Sequence, residues 1–348
     1  MSHSPGAPAK AEGAANDPVR AAAPRLETAM EAVKRRYLNI DKWAKRLWSL
    51  VRAILLIGMA FVILYPILLK VSAAFKTVED LTNPTVMWIP EKFSLENFRT
   101  AIDVMDYFDA IRNSFVLSAV TTILQTLSCA LAGYAFAKLP FRGINLLFAG
   151  VILTILVPPQ TILVPSYVNF KSFDVFGLFH LTTGHGLNML GTYWPFILTA
   201  ATGNALKSGL FIYIFRQFFR GLSKEIEEAA FVDGAGVFKS FVAIMLPNAI
   251  PAMVTVMLFA FVWQWNDTFF TSNFLPNMNT LTNATLGLPY KVSVLLGGGA
   301  GGSAQIDPFQ ASMLVDTGLL LSILPLIVMY FFVQRYFVES IDRTGLVG

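Results

Sequence analysis

Residues 215–251 read FRQFFRGLSKEIEEAAFVDGAGVFKSFVAIMLPNAIP and separate two long apolar stretches of the chain. Ser223 is a residue type that caps helix N-termini, and the glutamates that follow it are favourable at the positive end of a helix. The pattern predicts a short helix from Lys224 to about Val232.

The composition of the chain is that of a membrane protein. Its 348 residues are 55% hydrophobic and 14% charged, with a mean hydropathy of +0.58, whereas a soluble domain is about one-quarter charged. The net charge of +4 comes from basic residues at the ends of apolar stretches, so no nucleic-acid partner is expected. The single cysteine, Cys129, lies inside an apolar stretch, so neither a disulfide nor a metal site is predicted. We predict an all-α integral membrane protein whose natural solvent is the lipid bilayer.

Six uncharged stretches are each long enough to hold one membrane helix. A bilayer core needs about 20 apolar residues in a helix, and none of the stretches comfortably holds two spans. The sequence therefore predicts six transmembrane helices. The stretches cover residues 53–69, 113–137, 143–170, 186–206, 240–266 and 317–334.

A turn and a second segment follow the short helix between the fourth and fifth stretches. Gly234 and Gly236 allow the chain to turn without a side-chain penalty. The second segment, residues 237–245, leads to Pro247, where the fifth membrane helix begins. The sequence thus predicts a helix-turn-helix, the elbow, over residues 223–247. A short rigid element joined to two membrane helices could be gripped by a soluble partner and moved as a lever.

Lysine and arginine residues are concentrated on one side of the predicted helices. Cytoplasmic loops carry the excess of basic residues, so this side, with the elbow and both chain ends, is predicted to be cytoplasmic. The basic residues shortly before the first stretch are Lys34, Arg35, Arg36, Lys42, Lys45, Arg46 and Arg52.

The membrane domain is predicted to cover residues 50–340. Residues 1–30 are rich in Ala, Pro and Gly and are predicted to form a disordered cytoplasmic tail, followed by a basic juxtamembrane segment over 31–49. Residues 267–312 are predicted to form an external loop, and residues 341–348 a cytoplasmic tail. The sequence contains no phosphate-binding loop for ATP, and no residue is predicted to be catalytic.

The elbow carries a motif with fixed spacing. Three residues separate the Glu-Ala-Ala group from a glycine, and nine more separate that glycine from Ile-x-Leu-Pro. The residues are Glu228, Ala229, Ala230, Gly234, Ile244, Leu246 and Pro247. The pattern resembles the signature of permease subunits of binding-protein-dependent ABC importers.

The resemblance continues through most of the chain from about Leu50. Several stretches are similar to the carbohydrate-uptake branch, which includes the shorter permease of maltose-type transporters. They read, in order, SAAFKTVEDL, FSLENFRTAI, AGYAFAKLPFRG, VPPQTILVPSYV, WNDTFF and QRYFV. The tail, ESIDRTGLVG, departs from the glycine-rich tail closed by Lys-Gly that this family usually carries.

The resemblance implies a type I ABC importer permease fold and a function in the import of a sugar or glycoside. It implies three kinds of protein partner: a second homologous permease, two ATPase subunits and an extracytoplasmic solute-binding protein. ATP and Mg would bind to the ATPase subunits, and no cofactor is expected on this chain. The complex would lie in the plasma (inner) membrane of a bacterium or archaeon.

The resemblance also assigns roles to particular residues. The elbow would dock on an ATPase subunit through Glu228, Ala229, Ala230, Asp233, Gly234 and Ala235. The external loop would enter the cleft of the binding protein through Gly297, Gly298, Gly299, Gly301 and Gly302. A flexible linker is the alternative interpretation of these glycines.

Polar residues near the apolar stretches indicate a translocation path. A fourth helix unbroken to Arg216 would place the Lys207 ammonium about 13 Å deep, where a charge must face protein or water. Alternatively, the helix is broken at nearby glycines and Lys207 reaches the interface or pairs structurally. Asn204, Gln264 and Asn266 are the other candidates for this path.

Two other functions are compatible with a multi-pass membrane protein. An ion-coupled secondary transporter would need an inverted repeat and buried carboxylates near the bilayer midplane, and the sequence shows neither. A membrane scaffold without transport activity is not excluded by residue chemistry. Both would act without a cytoplasmic ATPase, so co-purification with ATPase subunits separates them from an importer.

Overall fold

The computed structural model describes residues 18–83, 85–297 and 307–345. Throughout these ranges the regular secondary structure is helical, apart from one isolated antiparallel bridge between Phe173 and Leu187. The prediction of an all-α protein is confirmed.

The helices follow one another with short connections, and a π-helical turn, Phe241–Met245, lies between α11 and α12. Their bounds are α1 Pro18–Ala74, α2 Val78–Thr82, α3 Glu96–Met105, α4 Tyr107–Lys138, α5 Ile144–Leu156, α6 Pro159–Lys171, α7 Leu178–Thr183, α8 Trp194–Ala201, α9 Ser208–Gly221, α10 Lys224–Val232, α11 Val237–Ser240, α12 Leu246–Asn248, α13 Ile250–Trp265, α14 Phe269–Phe274, α15 Leu281–Leu296 and α16 Pro308–Gly345. The chain divides into two compact units: the first ends at Leu68 and holds most of α1, and the second begins at Leu69.

Three helices in the described ranges are long and apolar enough to cross a membrane. They are Lys42–Ala74 within α1, the whole of α4, and Pro308–Gln334 within α16. Two further pairs of helices, each bent at a short break, could each form one span. They are α5 with α6, bent by 102°, and Val237–Asn248 with α13, bent by 79°. The described residues therefore hold three to five candidate spans, where the sequence predicted six.

The fourth predicted span, residues 186–206, is not a single helix. α8 has only eight residues, and α9 begins at Ser208. Between them Gly203 and Lys207 adopt left-handed backbone conformations, with φ of 68° and 64°. Because a right-handed helix cannot continue through such residues, the broken-helix alternative for Lys207 is the one observed.

The third predicted span, residues 143–170, bends where two prolines follow one another. α5 ends at Leu156 and α6 begins at Pro159. Proline has no amide hydrogen, and a residue that precedes a proline avoids the helical conformation. Val157 and Pro158 are accordingly extended, with ψ of 121° and 134°.

Helix extends further at the chain ends than the sequence predicted. Residues 18–30, predicted to be disordered, belong to α1, which continues through the basic segment 31–49. Four of the thirteen residues 18–30 are alanine, and the strong helix propensity of alanine outweighs the low apolar content of this stretch. Residues 1–17 lie outside the described ranges. At the other end, α16 reaches Gly345, inside the predicted tail.

The predicted external loop over residues 267–312 also contains helices. Both α14 and α15 lie within it, and the Thr280 hydroxyl caps α15 by accepting a hydrogen bond from the Asn283 amide at 3.2 Å. One face of α15 is apolar at helical spacing and buried, so this helix packs into the protein. Its buried apolar residues are Leu281, Ala284, Leu288 and Val292.

The second unit is packed around α4, which contacts α8, α9, α13 and α15. One core cluster joins α4, α9 and α13 and includes Tyr134 and Phe215, each at most 1% exposed. A Cβ atom added at Gly133 would lie 2.4 Å from the Phe215 Cβ and 3.0 Å from the Arg216 amide nitrogen. Because real Cβ contacts are longer, a glycine is required for α4 and α9 to approach this closely.

Candidate functional site

The elbow contains the two helical segments that the sequence predicted. Ser223 caps α10, since its hydroxyl accepts a hydrogen bond from the Glu225 amide at 3.2 Å. Gly234 turns the chain with a φ of 79°. Gly236 has a φ of −73° and precedes α11 directly. The predicted helix bounds are confirmed, while the mechanical role of the elbow stays a prediction.

Most of the predicted docking residues lie on the outer face of the elbow. Glu228, Ala229, Asp233 and Gly234 are exposed, and Ala235 is half-buried. By contrast, the sixth predicted residue, Ala230, is 4% exposed and faces the chain's own interior, so it offers no surface to a partner.

Apolar side chains are also exposed on the elbow. Val232 is 87% exposed and Phe238 is 70% exposed, on the two sides of the Gly234 turn. Phe231 and Val237 add further exposed apolar surface beside them. Grouped apolar side chains next to exposed charges are typical of a surface that binds another protein.

The inner face of the elbow is tied to α4. The Tyr134 hydroxyl donates a hydrogen bond to the Glu227 carboxylate, with 2.5 Å between the oxygens, and both side chains are buried. At the end of α4, the Lys138 ammonium donates to the Leu222 carbonyl at 3.0 Å. The sequence analysis placed Glu227 at the favourable positive end of α10 but did not predict its contact with α4. Adjacent residues on a helix point about 100° apart, so Glu227 and Glu228 cannot face the same way.

The guanidinium of Arg216 forms a second tie between α9 and α4. Its Nε donates to the Phe136 carbonyl at 3.3 Å, and its carbon lies 3.8 Å from the centroid of the Phe148 ring. The hydrogen bond holds α9, which leads into the elbow, against the end of α4, and the ring contact holds it against α5.

Side chains of α4 donate hydrogen bonds to groups at the break between α8 and α9. The Gln125 amide donates to the Leu206 carbonyl at 2.8 Å and to the Ser208 hydroxyl at 2.9 Å. The Ser128 hydroxyl donates to the Ala200 carbonyl at 2.7 Å. In an apolar environment a carbonyl that lacks a helical partner must be satisfied elsewhere. The polar face of α4 thus supplies the donors that the broken helix lacks.

Lys207 lies at this break, directly before α9. Its ammonium lies 5.7 Å from the centroid of the Trp263 ring, within the range of a cation–π interaction. Lys207 has a left-handed backbone conformation. This conformation costs about 1–3 kcal/mol in a residue with a side chain, and residues that adopt it cluster at functional sites.

A cavity of about 960 Å³ opens beside the break, between α5, α6, α8, α9 and the end of α13. Three of the predicted path residues, Asn204, Lys207 and Gln264, line it. The fourth, Asn266, does not, and its amide donates to the Val262 carbonyl one turn back along α13 at 2.8 Å. The Gln264 Nε2 is buried without a hydrogen-bond partner in the described part of the chain.

Asp267 lines the same cavity, beyond the end of α13. Its carboxylate accepts hydrogen bonds from the amides of Phe269, Phe270 and Thr271 and from the Thr271 hydroxyl. Burial raises the pKa of the Asp267 carboxyl, while these hydrogen bonds act in the opposite direction. The carboxylate is thus occupied in holding the start of α14.

The remaining predicted residues belong to the glycine-rich segment. Gly297 follows the last residue of α15. Gly298, Gly299, Gly301 and Gly302 lie outside the described residues, so their predicted contact with a binding protein stays a prediction. Within the described ranges, no group of three His, Cys, Asp or Glu side chains is arranged to hold a metal ion.

Comparison with known proteins identifies the class of the chain. Residues 126–343 match the family model described as the binding-protein-dependent transport system inner membrane component. The alpha-glucoside transport system permease protein AglG of Rhizobium meliloti is 32% identical over 259 residues, which cover 74% of this chain and 62% of AglG. The arabinooligosaccharides transport system permease protein AraQ of Halalkalibacterium halodurans is 27% identical over 295 residues, which cover 83% of this chain and 93% of AraQ.

The fold also matches a solved structure. A chain of a bacterial ABC transporter involved in the import of the acidic polysaccharide alginate aligns with a TM-score of 0.65 and 20% identity. The alignment covers 84% of this chain and 98% of that chain. At this identity the match shows the fold alone, and that fold is the predicted one, an ABC importer permease.

An all-helical multi-pass membrane fold with this motif defines a transport component rather than a catalyst. The chain belongs to the family of binding-protein-dependent transport system inner membrane components. The predicted resemblance to carbohydrate-uptake permeases is confirmed by the relatives. Family membership argues against both the ion-coupled transporter and the scaffold.

Replacing Gln125 by Leu should destabilise the break between α8 and α9. The substitution leaves the part-buried Leu206 carbonyl without its donor, and the loss of this hydrogen bond should cost about 1 kcal/mol. We expect a lower thermal melting temperature for the purified protein in detergent. Gln217→Leu, at an exposed position of α9, is the matched control and should change stability by less than about 0.5 kcal/mol. Equal melting temperatures for the two variants would contradict this account of the break.

Proposed function

We propose that this chain is a transmembrane subunit of an ATP-driven importer that receives a sugar or glycoside from a solute-binding protein and passes it into the cytoplasm. Separate ATPase subunits bind ATP and Mg and supply the energy. The observation that carries the proposal is the elbow, with Glu228, Ala229 and Gly234 of its motif exposed on one face and its other face hydrogen-bonded to α4.

The outer face of the elbow is suited to an ATPase subunit in both shape and chemistry. Glu228 and Asp233 present carboxylates, while Val232 and Phe238 present apolar surface. Gly234 carries no side chain, so a partner can approach the backbone closely at the turn. One ATPase subunit grips this elbow and a second grips the counterpart on a homologous permease. Both chain ends and the elbow then lie on the cytoplasmic side of the inner membrane, as the basic residues predict.

Alternating access follows from this arrangement. Closure of the two ATPase subunits on ATP draws the two elbows together, and the membrane helices attached to them change their packing. The ATPase subunits shift the equilibrium between the inward-open and outward-open arrangements because they bind one arrangement better than the other.

The cavity beside the broken span is the proposed translocation path of this subunit. Its lining combines apolar side chains with Asn204, Lys207 and Gln264. The side-chain amides of Asn204 and Gln264 can form hydrogen bonds with hydroxyl-rich solutes. The names of the relatives AglG and AraQ refer to an alpha-glucoside and to arabinooligosaccharides. They support a sugar or glycoside as the solute class.

Replacing Glu228 by Lys should release the ATPase subunits. We expect basic side chains of the ATPase subunit opposite Glu228, so the reversed charge would be repelled and the co-purified ATPase should fall at least about tenfold. The measurement is the amount of ATPase subunit that is retained on the affinity-tagged permease. Glu225 is another exposed glutamate of α10 and lies outside the motif. The control variant Glu225→Lys should retain the ATPase. Full retention by Glu228→Lys would contradict the proposed docking face.

Replacing Asn204 by Ala should lower the rate of solute uptake severalfold without releasing the ATPase subunits. The substitution removes a hydrogen-bonding group from the cavity wall and leaves the elbow unchanged. Uptake of labelled solute into vesicles that contain the complete complex measures the effect. Asn266 lies outside the cavity, so the control variant Asn266→Ala should transport at the same rate as the unmodified protein. If both variants transport at the same rate, this cavity is not the path.

A further inference from the structure

We infer that the buried hydrogen bond between Tyr134 and Glu227 carries movement of the elbow to α4, and that Tyr134 is therefore a positioning residue for energy coupling. The inference rests on the proposed function, since it assumes that the elbow is moved by an ATPase. It concerns a different face of the elbow from the docking residues. Glu228 and its neighbours face outward, whereas Glu227 is 8% exposed and faces α4.

Tyr134 contacts the elbow and its approach at three successive places. Its ring packs edge-on against Phe219 near the end of α9, with 5.7 Å between the ring centroids. Its hydroxyl bonds to Glu227 in the middle of α10. Its ring also packs against Phe241, in the π-helical turn after α11, at 5.1 Å. One side chain of α4 thus contacts the approach to the elbow, α10 and the π-helical turn.

The hydrogen bond has a property that the surrounding packing lacks. Apolar contacts are non-directional, so they tolerate small shifts of one surface along the other. A hydrogen bond requires a short distance and a narrow range of angles. Glu227 makes no ion pair in the described part of the chain, and its burial makes the loss of the phenol donor costly. The pair therefore fixes the register of α10 on α4 and makes the two helices move together.

The neighbouring contacts strengthen the same connection. The bonds from Lys138 to the Leu222 carbonyl and from Arg216 to the Phe136 carbonyl tie α9 to α4 just before the elbow. On the other side, the segment Val237–Asn248 meets α13 at a bend of 79°. The hydrogen bonds thus join α4 to α9 and to the elbow, and the bend lies on the side of α13.

The test uses the complete complex with its ATPase subunits and sister permease, reconstituted into vesicles. Tyr134→Phe keeps the ring and removes only the hydroxyl. We expect the ATPase subunits to stay bound and to hydrolyse ATP, while the number of solute molecules imported per ATP falls about tenfold, as for the loss of one hydrogen bond to a carboxylate. Tyr213→Phe, at a partly exposed tyrosine of α9, is the matched control and should leave this ratio unchanged.

Substitutions of Glu227 test the partner side of the bond. Glu227→Gln keeps an acceptor oxygen for the phenol and should retain most of the coupling, whereas Glu227→Ala should lower the ratio as Tyr134→Phe does. Combining Tyr134→Phe with Glu227→Ala should add little to either change alone, because both remove the same contact. If Tyr134→Phe reduces the yield of folded protein, the comparison of Gln with Ala at position 227 provides the test.

The outcomes separate this inference from the proposed function. An unchanged ratio of solute to ATP in Tyr134→Phe, or equal ratios for the two Glu227 variants, would overturn the inference and leave the importer proposal standing. Failure of the unmodified chain to bind any ATPase subunit would instead overturn the proposed function.

Discussion

Every backbone N–H and C=O group inside a bilayer must find its partner within the protein, and this requirement governs the structure of the chain. Unbroken helices such as α4 meet it by their own hydrogen bonds. The break between α8 and α9 meets it through α4, whose Gln125 and Ser128 donate to backbone carbonyls there. Since α4 also packs closely on α9 at Gly133, it is the helix on which the rest of the second unit depends.

Contact with α4 covers one face of the elbow and leaves the other face exposed. Glu227 and Glu228 are adjacent in sequence and point in different directions, because successive residues of a helix are turned by about 100°. Glu227 is bound to α4, and Glu228 is free to meet a partner. An element anchored on one face and exposed on the other can pass a force from outside the bilayer to a helix inside it. Under the proposed function, that force would be applied at the exposed Val232 and Phe238.

Sequence reasoning succeeded where neighbouring residues decide the structure and failed where distant ones do. The bounds of α10 follow from a capping serine and a turning glycine, and the class of protein follows from composition and motif spacing. Nearby glycines indicate the break at Lys207 as one alternative, but the donors on α4 that stabilise the break lie some 80 residues away, and no local pattern indicates them. The bond between Tyr134 and Glu227 likewise joins residues 93 positions apart. The helical character of residues 18–30 was missed because low apolar content was given more weight than helix propensity.

The central claim is that the elbow lies on the side of the membrane where ATP is hydrolysed and is gripped there by a partner. Labelling of Val232→Cys with a membrane-impermeant maleimide tests it directly, since the native Cys129 is fully buried and gives little background. The account predicts labelling in inside-out vesicles, none in intact cells, and protection when the ATPase subunits are bound. Labelling from outside intact cells, or equal labelling with and without the ATPase subunits, would contradict it.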